Sequence, residues 1–227
     1  MSAARVLRGM GWALIGSGAL VLLYVVYLLA FTYVSTELAQ DDLLATWEAL
    51  VGRLPTGDPA PAGAVRAVPR PSRAATRGIG LGNAYAAVWF RRPGSLAPLV
   101  RDGPLLVVEG VAPEQLKRGP GHYPSTGHPG QSRNFAIAGH RTTYGSPFFH
   151  LDQLTSGDEV HVVDRQGHEW TYVVRTSRIV SPNEVWVLGD DPLGTGEPTM
   201  TMTTCHPRFS AAKRLVVFAE LAGGGVL

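Results

Sequence analysis

The sequence predicts an all-β domain, a closed barrel or a sandwich of about eight short strands with short helices, preceded by one N-terminal transmembrane helix. From residue 79 onward, short apolar or alternating runs are separated by glycines and prolines, and no long helical pattern intervenes. Before that point lies an uncharged stretch of 28 residues, Gly9 to Thr36. The chain has 27 glycines and 17 prolines among 227 residues, which is typical of a protein rich in turns and linkers.

The uncharged stretch is long enough to cross a membrane. A spanning helix needs about 20 apolar residues, and the apolar centre of the stretch, residues 12–34, exceeds that number. Arg5 and Arg8 precede it and acidic residues follow it. The positive-inside rule therefore places residues 1–8 in the cytoplasm and the rest of the chain outside the cell. A cleaved signal peptide usually has an apolar core of about 7–15 residues and a small-residue exit, which this run lacks. We predict a single-pass signal anchor in the cell membrane over residues 9–36.

Two further segments separate the anchor from the β-rich part. Residues 37–52 have apolar side chains at helical spacing opposite acidic ones, which predicts a juxtamembrane helix. This helix either continues the membrane helix or lies along the membrane surface. Residues 53–78 are rich in proline, glycine and alanine without an apolar period, which predicts an extended linker that lifts a domain away from the membrane. The folded domain is predicted over residues 79–222.

The β-rich part divides into short elements. The predicted strands are residues 84–90, 104–109, 134–140, 157–163, 169–180, 199–205 and 214–221. The two alternating runs on either side of Gln166-Gly167 predict an antiparallel hairpin. Short helical turns are predicted at residues 112–118 and 148–154, the first with a proline near its start. Residues 119–132 form a long turn-rich connection.

Composition excludes several classes of protein and site. A single cysteine, Cys205, rules out an intramolecular disulfide framework and a multi-cysteine zinc site. The net charge of +2 equals the two N-terminal arginines, because the remaining basic and acidic residues number 18 each, so a nucleic-acid partner is not expected. His122, His128 and His140 lack the spacing of a helical metal site and have no acidic cluster beside them. We expect no metal or cofactor, and we expect His122 and His128 in a solvated loop.

Cys205 is the strongest candidate for chemistry. A lone cysteine is often only a small buried hydrophobe. The two-residue period of a strand, however, places Cys205 on a face of alternate threonines, opposite Met200 and Met202. A polar face at a strand end suits a reactive thiol better than a core position. An unpaired cysteine outside the membrane is also a liability unless it is used.

A cysteine nucleophile needs a group that handles protons, usually histidine. His140 ends an apolar strand directly after Gly139, a small residue that would let another group approach closely. Arg214 begins the last strand nine residues after Cys205, so two adjacent antiparallel strands would place Arg214 beside it. A guanidinium there could donate two hydrogen bonds to a carbonyl or an oxyanion, whereas the alternative is an ordinary surface arginine.

Several segments together resemble the sortase family. They are NFAIAGH at 134–140, TMTTC at 201–205 and RLVV at 214–217. The order His, Cys, Arg is similar to that family's catalytic triad. Further segments resemble class E sortases, the housekeeping type of high-GC Gram-positive bacteria: GPGHYP at 119–124, GHRTTYG at 139–145 and TTCHP at 203–207. The resemblance covers about residues 109–221 and implies an eight-stranded sortase-type β-barrel with His140, Cys205 and Arg214 as catalytic residues.

The resemblance also implies a reaction. Sortases recognise a C-terminal sorting signal such as LPxTG, and class E enzymes are associated with LAxTG. Cys205 would attack the carbonyl of the Thr–Gly bond, His140 would protonate the leaving amine, and Arg214 would steady the carbonyl or oxyanion. An amine of a peptidoglycan precursor, the lipid II stem peptide, would then open the thioester. The implied partners are surface proteins with such a signal, this precursor and the membrane.

Three more residues are expected to contact substrate. The Tyr123 hydroxyl near the groove could favour the Ala position of LAxTG, Tyr144 could line the same groove, and Thr204 precedes the nucleophile. Two other enzymes remain open. A pilin-polymerising sortase would share the triad but often has a lid loop, which the linker could contain. An extracytoplasmic cysteine peptidase or hydrolase would usually place Cys before His. A non-catalytic surface binding module would need no such residues.

Overall fold

The computed structural model describes residues 3–54, 80, 82–95 and 97–224, in which eight strands close into a barrel. The strands are β1 Ala84–Arg91, β2 Leu105–Glu109, β3 Gly121–His122, β4 Phe135–Ala138, β5 Glu159–Asp164, β6 Glu169–Val180, β7 Thr199–His206 and β8 Lys213–Gly224. Around the barrel they follow the order β1-β2-β3-β4-β7-β8-β6-β5. The β2–β3 and β4–β7 pairs are parallel and the others antiparallel. The predicted all-β barrel is confirmed.

Among the described residues, helices are few and one is long. They are α1 Ala3–Leu50, α2 Pro113–Leu116 and two 3-10 turns, Leu151–Gln153 and Val185–Leu188. The N-terminal part of α1 is long and apolar enough to span a membrane. α1 also includes most of the segment predicted as a juxtamembrane helix, so residues 37–50 continue the same helix as the apolar stretch. Most of the predicted linker, residues 53–78, lies outside the described residues.

The barrel interior is filled by alternate side chains of its strands. On β4 and β7, Phe135, Ile137, Met200 and Met202 point inward and are fully buried. β1 departs from this alternation, because Ala84 to Val88 are all buried. A strand that is covered on both faces has a continuous apolar run instead of an alternating one. The cover on the outer face of β1 and β2 is the C-terminal part of α1.

α1 is docked on the barrel through apolar and polar contacts. Leu43, Trp47 and Val51 pack in one cluster with the outer faces of β1 and β2. The buried amide of Gln40 accepts a hydrogen bond from the Leu106 N–H (2.8 Å) and donates one to the Leu106 carbonyl (3.0 Å). Because β3 pairs with β2 only at Val108 and Glu109, Gln40 completes the part of the β2 edge that has no strand neighbour.

The docking fixes the direction in which α1 leaves the barrel. We call the end where β4 and β7 finish and β8 begins the upper end, and the end with the β5–β6 turn the lower end. Thr36 donates a hydrogen bond to the Lys117 carbonyl (2.8 Å), and Gln40 meets Leu106 near the start of β2, both towards the upper end. Later residues of α1 share a cluster with Ala84, at the lower end of β1. The apolar N-terminal part of α1, the candidate membrane span, therefore projects beyond the upper end.

The expectation of a solvated loop was wrong for His122. His122 lies on β3 with 1% of its surface exposed, and its ring stacks on Tyr85 at a centroid distance of 4.1 Å. Its Nδ1 contacts the Glu109 carboxylate at 2.8 Å. Burial also raises the pKa of Tyr85. The two-residue strand inside a turn-rich segment gave no period from which the burial could be predicted.

We expect the substitution Trp47→Ala to destabilise the docked arrangement. Trp47 is 1% exposed, and truncating a buried tryptophan costs about 3–5 kcal/mol. For a chain of this size, that loss lowers the melting temperature by roughly 6–20 °C. Thermal unfolding of the full chain in detergent micelles measures the shift. Glu48→Ala, at the exposed neighbouring position, is the matched control; equal melting temperatures for the two variants would contradict the docking.

Candidate active site

Three predicted residues lie in one row at the upper end of the barrel. β4 runs parallel to β7 with Ala138 opposite Thr203, and the Gly139 N–H donates to the Thr203 carbonyl (3.0 Å). Extending this register by two residues brings His140 level with Cys205. On the other side of β7, Arg214 is directly opposite Cys205 in the antiparallel ladder. We call His140, Cys205 and Arg214 the outer row.

The outer row faces away from the barrel core. Met200 and Met202 point inward, so the strand period turns Cys205 to the outer face, as the sequence predicted. Cys205 is partly exposed and its thiol is free. In both parallel and antiparallel ladders, residues at the same level share a face. The outer row therefore presents a thiol, an imidazole and a guanidinium on one side of the sheet.

His140 is held by its own loop. Its Nδ1 lies 3.4 Å from the Thr143 hydroxyl, and its ring lies 4.9 Å from the Tyr144 ring, centroid to centroid. Burial lowers the pKa of His140, so the neutral imidazole is favoured at pH 7. Phe148 packs against Gly139, where an added Cβ would lie 2.6 Å from the ring. This is the close approach that the small residue before His140 predicted.

Two predicted substrate contacts differ in their placement. The Tyr123 hydroxyl shares a 3.0 Å hydrogen bond with the Thr203 hydroxyl, so Tyr123 lies over the outer face two residues below Cys205. Thr204 belongs to the opposite, inner face and is 3% exposed. Its hydroxyl donates to the Gly139 carbonyl (2.7 Å). Thr204 thus contacts the backbone that leads into His140, and not the outer face.

Arg214 is turned towards the connection between β7 and β8. One guanidinium nitrogen donates to the carbonyls of Ala211 and Lys213, each at 3.0 Å.

Lower on the outer face, Asn134 accepts a hydrogen bond from Thr201 (2.9 Å) and donates one to the Val187 carbonyl (3.2 Å). This pair of bonds fastens the 3-10 turn before β7 to the barrel beside the row.

Arg141 is a neighbour of the row that sequence reasoning missed. It is 3% exposed and donates to the Cys205 carbonyl (3.4 Å) and to His206 Nδ1 (3.3 Å). Its other terminal nitrogen contacts the Asp152 carboxylate at 2.9 Å, which also binds Arg208. An arginine beside a loop is expected to be exposed. Its burial depends on Asp152, which lies in a separate 3-10 turn.

The cavity that the structure describes does not adjoin the outer row. It has a volume of about 320 Å³ and is lined by residues that include Tyr85, His128, Asp164 and His168, at the lower end. None of the predicted site residues lines it. Among the described residues, no cluster of three His, Cys, Asp or Glu side chains could hold a metal ion.

A family model described as the sortase domain matches residues 102–222, which is more than half of the chain. The chain belongs to the sortase family. A curated relative, Sortase SrtE1 of Streptomyces coelicolor, is 32% identical over 127 residues, covering 51% of this chain and 36% of that protein. The curated sortases that it matches are covered over 36–57% of their own length, so the chain spans only part of them.

Solved structures agree with the sequence relatives. Sortase E from Streptomyces avermitilis superposes with a TM-score of 0.55 at 36% identity, covering 64% of this chain and 92% of that one. Sortase E1 from Streptomyces coelicolor, solved with a tripeptide in its active site, has a TM-score of 0.54 at 29% identity and covers 63% and 90%. The sortase resembles class E members of its family. The family match begins after β1, so the first strand is supplied by residues that precede the matched region.

We expect His140 to titrate below the ordinary histidine pKa of about 6.5. Burial disfavours its charged form. His140 is then protonated more readily in the unfolded chain than in the folded one. Its contribution to the free energy of unfolding is therefore lost as the pH falls through 6.5 towards the folded-state pKa. NMR of ¹³C-labelled histidine in the full chain measures the midpoint, with His140→Gln to assign the resonance. A midpoint at or above 6.5 would contradict the described environment.

Proposed function

We propose that this sortase is a membrane-anchored cysteine transpeptidase. It would cleave the Thr–Gly bond of an LAxTG or LPxTG-type sorting signal and join the protein to an amine of the lipid II stem peptide. The observation that carries the proposal is the outer row. A free thiol lies at the end of β7, with a histidine just after β4 and an arginine on β8 at the same level. Family membership supports the general reaction.

The reaction needs one proton to move twice. Neutral His140 takes the thiol proton of Cys205, and the thiolate adds to the Thr carbonyl carbon to give a tetrahedral oxyanion. The imidazolium then gives that proton to the Gly nitrogen as the C–N bond breaks, leaving a thioester and a free amine. Because burial favours neutral His140, the imidazolium is present mainly during the reaction. An incoming amine reverses these steps and releases Cys205.

Arg214 is proposed to stabilise the charge that develops on the carbonyl oxygen. It stands opposite Cys205, and its guanidinium is now bound to two carbonyls of the neighbouring connection. A planar guanidinium can exchange such neutral acceptors for an oxyanion, which is the stronger partner. The carbonyls of Ala211 and Lys213 are the acceptors that Arg214 would release on binding the oxyanion.

The substrate is proposed to lie along the outer face of β4 and β7. Tyr123 borders this face through its bond to Thr203, and Tyr144 borders it through its contact with His140. Both are proposed to contact the sorting signal. Thr204 was expected to do the same, but its hydroxyl is bound to the Gly139 carbonyl. We propose that Thr204 acts by positioning His140.

The proposed arrangement of the chain around the membrane is supported by α1. We propose that residues 1–8 are cytoplasmic, that residues 9–36 cross the cell membrane once, and that residues 37–52 carry the chain to a catalytic domain at residues 79–222 outside the cell. The apolar helix supports the crossing, and the arginines before it support the orientation. Surface proteins and a lipid-linked acceptor would both be reached at this membrane.

We expect the full chain in detergent to join a fluorescent LAxTG peptide to an amine, and Cys205→Ala to abolish the product. Arg214→Ala should lower kcat/KM by about 10²–10³-fold, the effect of losing one oxyanion donor. Arg175→Ala, whose guanidinium pairs with Glu220 on the barrel wall, is the matched control. Chromatography separates the transpeptidation product from hydrolysed peptide. Product formation by Cys205→Ala would exclude Cys205 as nucleophile, and hydrolysis alone would favour a peptidase.

We expect Tyr123→Phe to reduce turnover of LAxTG more than that of LPxTG. Loss of one neutral hydrogen bond costs about 0.5–1.5 kcal/mol, which is roughly a 2–10-fold fall in kcat/KM. The LPxTG peptide is the internal control, because a general disturbance of the outer face would slow both peptides equally. Equal losses would show that the Tyr123 hydroxyl does not distinguish alanine from proline in the signal.

A further inference from the structure

The connection between β7 and β8, residues 207–212, presents a large apolar side chain to solvent. Phe209 is 80% exposed, the highest value among the large apolar side chains that the structure describes. Its backbone φ is +64°, a left-handed conformation that is unfavourable for a bulky residue. A single exposed apolar residue is ordinary. Phe209 differs from an ordinary exposed residue in the basic side chains around it and in its position at one end of the barrel.

The neighbours are basic. Residues 206–214 read HPRFSAAKR and contain Arg208, Lys213 and Arg214 but no acidic residue. Arg208 is fixed in place, since its guanidinium lies 4.5 Å from the Phe149 ring centre and binds the Asp152 carboxylate at 2.9 Å. An aromatic ring between basic side chains is typical of segments that lie in the headgroup region of a bilayer.

Phe209 lies at the end of the barrel from which the apolar part of α1 leaves. β7 ends at His206 and β8 begins at Lys213, so the connection lies beyond the upper end. The loop after His140 lies at the same end and packs against α1. Gly145 of this loop is so close to Thr36 that an added Cβ would lie 3.0 Å from Thr36 Cγ2. Arg141 of that loop contacts His206. A series of contacts thus links the start of the docked helix to the β7–β8 connection.

We propose that the β7–β8 connection is a second membrane contact, with Phe209 in the interfacial region and Arg208 and Lys213 near lipid phosphates. The inference rests on the proposed membrane anchor, because the surface it meets is the outer face of the bilayer that α1 crosses. Basic side chains are attracted to anionic lipid. The barrel is then held at two points, and the outer row faces substrates that emerge from the same membrane.

Nitroxide labels on the full chain in liposomes test the contact. The only native thiol is removed by Cys205→Ser, and single labels are placed with Phe209→Cys or, as a matched control in the β5–β6 turn at the lower end, Gln166→Cys. In vesicles containing phosphatidylglycerol, the label at 209 should be accessible to oxygen and protected from a nickel chelate, whereas the label at 166 should be accessible to the chelate. Equal chelate accessibility would overturn the proposal, and this readout does not depend on activity.

A second measurement tests the consequence for substrates. Phe209→Ser should leave turnover of a soluble sorting peptide unchanged and lower turnover of the same peptide on a lipid anchor by about tenfold, since burial of the ring is lost. Equal effects on the two peptides would overturn a role in substrate access. If neither peptide reacts with the unsubstituted chain, the proposed transpeptidase fails, while the nitroxide experiment still decides the membrane contact.

Discussion

The parallel pairing of β4 with β7 is the contact on which the candidate site depends. It sets Ala138 beside Thr203, and the Gly139 backbone is bound on both sides, by the Thr203 carbonyl and by the Thr204 hydroxyl. These bonds bring His140 level with a cysteine 65 positions later in the sequence. A parallel pair needs a long crossover, and the whole β5–β6 hairpin lies within it. The site can therefore form only when most of the barrel has formed.

Much of this architecture could be predicted from sequence patterns, and the exceptions have a common cause. The strand period identified the outward face of Cys205, and the separation of nine positions predicted Arg214 beside it. Those features depend on local spacing. The burial of His122 and Arg141 depends instead on carboxylates supplied by other elements, Glu109 and Asp152. The inward placement of Thr204 follows from local spacing, because the strand period that turns Cys205 outward turns Thr204 inward.

The upper end of the barrel combines the outer row with the end from which α1 leaves. α1 runs along the barrel and leaves where β4 and β7 finish, so the Cys205 thiol and the apolar part of α1, the candidate membrane span, are on the same side of the domain. An enzyme whose substrates are tethered gains from this placement, because tethering raises the local concentration of the reacting groups. Burial lowers the pKa of His140 and favours its neutral imidazole, which is the form that the proposed reaction requires before substrate binds.

The hydrogen bonds of Gln40 have a consequence for how the protein is handled. Leu106 presents a backbone N–H and a carbonyl that only the anchor helix occupies among the described residues, beside an apolar surface that Trp47 covers. A shortened chain that begins after the linker would leave this strand edge and this surface uncovered. Uncovered edges pair with other chains. Self-association of truncated forms would thus begin at β2, on the side of the barrel away from Cys205.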